Sequence, residues 1–100
     1  MNVIKEDIEA AVEKELATAT ERFGLHHSLH EKYAVTLEEL EEAASELRDC
    51  QSWIKNAWFD VKHNKFGHAD GSFENLYRCA VKLACEAVQV AAMCRKEIKK

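Results

Sequence analysis

Tyr33, Leu37, Leu40, Ala44, Leu47, Gln51, Ile54, Trp58 and Val61 follow one another at alternating steps of four and three residues, with Gln51 the only polar member. A pattern of period near 3.5 sustained over this length predicts one long helix. It also predicts packing along the whole helix against an antiparallel or coiled-coil partner. No segment shows the period-two alternation of a half-buried strand. Proline is absent and there are only three glycines, Gly24, Gly67 and Gly71, so glycine is the commonest helix terminator left to the chain.

These terminators divide the sequence into three segments. The first, about residues 3–22, carries Ile4, Ile8, Ala11, Val12 and Leu16 at helical steps and ends near Phe23-Gly24. The second is the long helix, about residues 31–62. A loop is expected over His63–Ser72, with Ser72 as N-cap of a third helix over about residues 72–99. That helix repeats the alternation in Leu76, Ala80, Leu83, Ala87, Val90, Cys94 and Ile98, and ends in Arg95, Lys96, Lys99 and Lys100, where cations suit the helix dipole. The expected fold is all-α: a single domain forming an antiparallel bundle of three to four helices per chain. Three helices of this length bury a modest core, so completion by a homodimer or homotetramer is expected.

Composition narrows the function classes. No apolar run approaches the roughly 18 residues of a membrane span, and the first residues lack the basic start and apolar stretch of a secretory signal, so a cytoplasmic location is expected. A net charge of −4 argues against a broad nucleic-acid surface. Cys50, Cys79, Cys85 and Cys94 contain no C-x-x-C pair and are expected as buried reduced thiols, and His26, His27 and His30 have no partner at structural-zinc spacing.

Charge is concentrated in residues 31–49, where Glu31, Glu38, Glu39, Glu41, Glu42, Glu46 and Asp49 face only Lys32 and Arg48. Such a run is ordinarily a solvated face. At about 100° per residue, however, Glu39 and Glu42 share one flank of the Leu40 stripe with Val35, Ala43 and Glu46, whereas Glu38 and Glu41 share the other with Ala34, Ser45 and Arg48. Glu86 and Gln89 stand in the same relation to Ala87 as Glu39 and Glu42 to Leu40. Asn64 lies midway between the two pairs, so a hairpin there sets them side by side. Three carboxylates and an amide oxygen of this kind suit Mg²⁺ or Mn²⁺, which also relieves the repulsion among the acids. Lys82 and Arg78, one and two turns before Glu86, are candidate phosphate contacts, and Trp53, off the apolar stripe, is a candidate for stacking on a base.

At these residues the sequence resembles the MazG-like all-α nucleoside triphosphate pyrophosphohydrolases, especially a small, often phage-associated branch. The stretch His30–Glu42, HEKYAVTLEELEE, looks like that branch's H-E-G-Y-A-V-x-L-E-E-x-x-E, and Glu86–Met93, EAVQVAAM, is similar to its E-A-I-Q-V-A-A-M. Together the two blocks cover about a fifth of the chain. The resemblance implies hydrolysis of a ribo- or deoxyribonucleoside triphosphate to the monophosphate and pyrophosphate, with Mg²⁺ held at Glu39, Glu42, Glu86 and Gln89. Glu38 or Glu42 is the expected general base. Lys32 replaces the family's usual glycine, the stretch between the blocks is longer than in compact members, and Gln89 stands where the wider family has aspartate. Those departures keep a second expectation in view: a non-catalytic helical oligomerisation module, or a regulatory nucleotide or metal binder, that retains the bundle.

Overall fold

The computed structural model describes residues 2–100. It contains three helices: α1 (Asn2–Phe23), α2 (Leu29–Lys62) and α3 (Phe66–Arg95). No strand occurs among the described residues, and the fold is all-helical. None of these helices is long and apolar enough to cross a membrane.

The ends of the helices follow from local chemistry. Gly24, at φ 73°, takes the left-handed position that stops α1, and its N–H donates to the Thr20 carbonyl at 2.8 Å. Ser28 caps α2: its Oγ accepts the N–H of Glu31 at 3.1 Å, while the Glu31 carboxylate turns back to the N–H and ring of His27. This is a variant of the capping box, reaching one residue further back than usual. It starts α2 at Leu29, two residues before the position expected from periodicity.

The expected loop over residues 63–72 is far shorter than its glycines suggest. The turn is His63-Asn64-Lys65, and Asn64 takes the left-handed conformation at φ 55°. Its N–H donates to the Val61 carbonyl at 3.2 Å and that of Lys65 to Asp60 at 2.8 Å. This pair of bonds is the Schellman closure of a helix C-terminus, with asparagine in the usual place of glycine. Gly67 and Gly71 lie inside α3 instead. Ser72 is accordingly not an N-cap; its buried hydroxyl donates to Asp60 Oδ2 at 3.1 Å. At the other end α3 stops at Arg95 rather than near 99. The chain then runs extended, and Ile98 forms a parallel bridge with His26.

The chain divides into two compact units. One comprises the residues up to Glu41 together with Glu86–Lys100; the other is Glu42–Cys85. In the first, Val12 and Ala19 of α1 form the core with Ala92 and Met93 of α3, supported by Leu16, Val35, Val88 and Ala91. The second is an antiparallel hairpin, in which Glu46 pairs with Lys82 and Asp60 with Ser72. Its buried positions include Ala43, Cys50, Ala57 and Ala69, small side chains that let two helices approach closely.

That packing face is not the stripe the periodicity singled out. Tyr33, Leu37, Leu40, Leu47, Ile54, Trp58 and Val61 are all exposed, Leu40 at 52% and Trp58 at 60%. The chain packs α2 through small residues and leaves the large ones at its surface. The thiols depart from expectation in a similar way. All four cysteines are free, but only Cys50 is buried, and Cys85 and Cys94 are exposed.

Candidate functional site

Glu39 sits half-buried on α2 and Glu42 one turn further on, exposed; Glu86 and Gln89 are half-buried on α3. One carboxylate oxygen from each of Glu39, Glu42 and Glu86 lies within 4.8 Å of the other two. A Mg²⁺ ion shared by all three carboxylates would draw these oxygens closer together still. The donor set is hard and anionic, as that ion prefers.

Gln89 completes the group differently from a fourth carboxylate. With its amide nitrogen turned toward the acids, it donates to Glu39 Oε2 at 2.9 Å and to Glu86 Oε2 at 3.1 Å. A neutral side chain thus holds two like charges together. Rotated by 180°, the same amide would direct its oxygen at the carboxylates, an arrangement that requires a cation between them.

The remaining sequence-selected residues are dispersed. Glu38 and Glu41 are exposed on α2, along with Ala34, Ser45 and Arg48, while Val35 and Glu46 are half-buried and Ala43 is buried. Lys82 is ion-paired with Glu46 at 2.9 Å, and Arg78 lies 3.6 Å from Glu74 on its own helix. Each candidate phosphate ligand therefore already has a carboxylate neighbour. Trp53 is half-buried within α2 of the hairpin unit.

Sequence reasoning weighed His26 only as a zinc ligand and did not foresee its burial. Its side chain is completely buried, and its ring is fixed by a 3.3 Å contact in which Nε2 donates to the Met93 carbonyl. Its backbone is held on both sides, the N–H by Glu97 and the carbonyl by Lys99. Because Met93 O can only accept, Nε2 carries a proton, and the buried Nδ1 has no hydrogen-bond partner. The available signal was the Ser28-x-x-Glu31 cap, which confines His26 to a short connection. Beside it, His27 Nδ1 lies 2.8 Å from Glu31, and that hydrogen bond, opposed by some burial, holds the Glu31 carboxyl below its ordinary range.

Comparison of the chain with protein-family models, with curated proteins and with solved structures finds no match.

Proposed function

We propose that the protein is a metal-dependent nucleoside triphosphate pyrophosphohydrolase of MazG-like type, acting in the cytoplasm as a homodimer or homotetramer. The observation that carries this reading is the convergence of Glu39, Glu42 and Glu86 within 4.8 Å. Their spacing on two helices is the one expected for an E-x-x-E pair facing a later glutamate. When bound, Mg²⁺ or Mn²⁺ supplies charge neutralisation for the triphosphate and acidification of water. Glu39, Glu42 and Glu86 would hold the ion. Glu42, or Glu38 from the exposed flank, accepts the proton as a water oxygen bonds to the phosphorus that becomes the monophosphate and the bond to pyrophosphate breaks. Lys82 and Arg78 reach the phosphates by exchanging their present carboxylate partners.

The exposed stripe on α2 supports the oligomeric part of the reading. A row of large apolar side chains from Tyr33 to Val61 is the kind of surface that marks a protein interface, and its period of about 3.5 suits a helix of a second copy. One observation favours the rival reading of a non-catalytic module or regulatory binder: Gln89 directs donors, not a ligand oxygen, at the two acids.

The deciding experiment incubates the purified protein with the eight common ribo- and deoxyribonucleoside triphosphates and Mg²⁺ or Mn²⁺, following pyrophosphate release. Turnover that Glu39→Gln abolishes and Glu41→Gln leaves within about twofold supports hydrolysis at this site. No release across the panel, together with no metal-dependent thermal shift, refutes both the enzyme and the metal binder.

A further inference from the structure

The hairpin unit packs along a seam distinct from its exposed stripe. On α2 the seam runs Glu46, Cys50, Trp53, Ala57 and Asp60, at steps of four and three residues, each side chain buried or half-buried. On α3 it runs back as Leu83, Cys79, Leu76, Ser72 and Ala69, with the same steps in the same order and again all buried or half-buried. Two contacts fix the register. Glu46 meets Lys82, next to Leu83, at 2.9 Å, and Asp60 meets Ser72, one step from Ala69, at 3.1 Å. One step in from Glu46 and Leu83, the seam sets Cys50 opposite Cys79. We propose that Cys50 and Cys79 are a redox pair, oxidised by small disulfides to an internal disulfide that staples α2 to α3. The inference stands apart from the hydrolase reading, because both thiols lie within the unit Glu42–Cys85.

Packing and electrostatics support the pairing. A disulfide requires Cβ atoms about 3.5–4.5 Å apart, and a seam rich in alanine, serine and cysteine lets two helices come close. Burial, and after it the charge of Cys79, hold the Cys50 thiol above its usual range, so each sulfur lies in the other's field. Access sets the order of events. Cys79 is half-buried and Cys50 buried, whereas Cys85 is exposed and off the seam. The Cys79 thiolate attacks one sulfur of a small disulfide such as oxidised glutathione; a mixed S–S bond forms and the other half leaves as a thiolate. Cys50 then gives up its proton to solvent and attacks the Cys79 sulfur, forming the internal S–S bond as the second small thiolate leaves. Two electrons pass from the protein thiols to the small disulfide. In a reducing compartment the pair rests as free thiols, and its oxidation is transient.

The test uses the whole chain, equilibrated natively over a range of oxidised-to-reduced glutathione ratios, quenched in acid, alkylated and digested with trypsin. Cleavage after Arg48, Lys55, Arg78 and Lys82 separates Cys50 and Cys79 from each other and from Cys85 and Cys94. Mass spectrometry then reads a link between residues 49–55 and 79–82 directly. That link is expected to be the dominant internal disulfide. The oxidised chain should also melt about 10 °C higher, since the bond constrains the 28 residues between the two thiols in the unfolded state. Dithiothreitol should reverse both changes, and Cys79→Ser should abolish them. Should that variant fail to fold, the wild-type peptide map decides alone. The proposal is overturned if Cys50 is recovered alkylated at every ratio, or if Cys79 stops at the mixed glutathione disulfide. A link from Cys79 to Cys85 or Cys94 instead, a link that forms only in urea, or a linked chain that melts no higher than the reduced one would overturn it equally.

Discussion

Gln89→Glu isolates what the amide does, because the two side chains have nearly the same shape and differ in charge and donors. In the wild-type chain the amide donates to Glu39 at 2.9 Å and to Glu86 at 3.1 Å. A hydrogen bond to a charged group contributes about 1.5–3 kcal/mol, and the half-exposed setting places each near or below the lower end of that range. The substitution also sets a third carboxylate against these two. Like charges about 4 Å apart repel by roughly 1 kcal/mol in bulk water and about 4 kcal/mol near a protein surface. The variant should therefore lose about 2–4 kcal/mol in EDTA at pH 8, or roughly 10–20 °C in Tm for a chain of this length. Added Mn²⁺ should restore most of this and stabilise the variant more than the wild type, since a fourth anionic ligand now faces the ion. Gln89→Leu, which loses the donors and adds no charge, should fall between the two in EDTA and gain less from Mn²⁺ than the Glu variant. Differential scanning fluorimetry with and without metal gives all the values needed. A Tm for Gln89→Glu within about 2 °C of wild type in EDTA would refute the clasp, and equal stabilisation of both proteins by Mn²⁺ would refute the ligand geometry.

Other outcomes follow from individual contacts. Ser72→Ala leaves the buried Asp60 carboxylate without its 3.1 Å donor and should cost about 1–3 kcal/mol in urea unfolding; a change under 0.5 kcal/mol would mean the bond contributes nothing net. The Glu31 carboxyl is held low chiefly by the His27 hydrogen bond. Its stabilisation is thus present above the ordinary value of 4.5 and lost as pH falls through the lower folded value, so an NMR titration should show a depressed midpoint that His27→Ala moves back up. Burial raises the Cys50 thiol, so iodoacetamide at pH 8 should modify exposed Cys85 and Cys94 well before Cys50, as peptide mass mapping will show. Leu47→Lys with Ile54→Lys should convert an oligomer to monomer in sedimentation velocity; a wild-type chain already monomeric at 100-fold dilution steps through ~1 µM would remove the interface.

Much of the fold was legible because helix periodicity is a local signal. The helices appear where the steps of three and four residues put them, and the hairpin turns at Asn64, the residue midway between Glu39/Glu42 and Glu86/Gln89. The start of α3 was misjudged because Gly67 and Gly71 suggested a loop. A glycine costs a helix only about 1 kcal/mol, and the Schellman closure at Asn64-Lys65 together with the Ser72–Asp60 bond favours continuing it. The packing face of α2 was hidden for a different reason. Its buried members are two alanines, a cysteine and Asp60, which hydrophobic patterning weighs lightly or not at all, while the bulky stripe that dominates the pattern is exposed. In the candidate site, flank geometry drew Glu39 and Glu42 together and gave Gln89 its position, but could not reveal which end of the amide faces the acids. The burial of His26 and Lys96 was not legible, because nothing in their immediate sequence shows it; that depends on residues far away along the chain.

The bridge between His26 and Ile98 has a kinetic meaning. The His26 ring reaches Met93 across 67 positions, so this junction closes through contacts whose loop entropy is lost before they return any stability. The hairpin around Asn64, by contrast, is built from near neighbours and can form early. Junction and hairpin therefore mature at different moments, and the junction closes only in chains whose distant segments have already met.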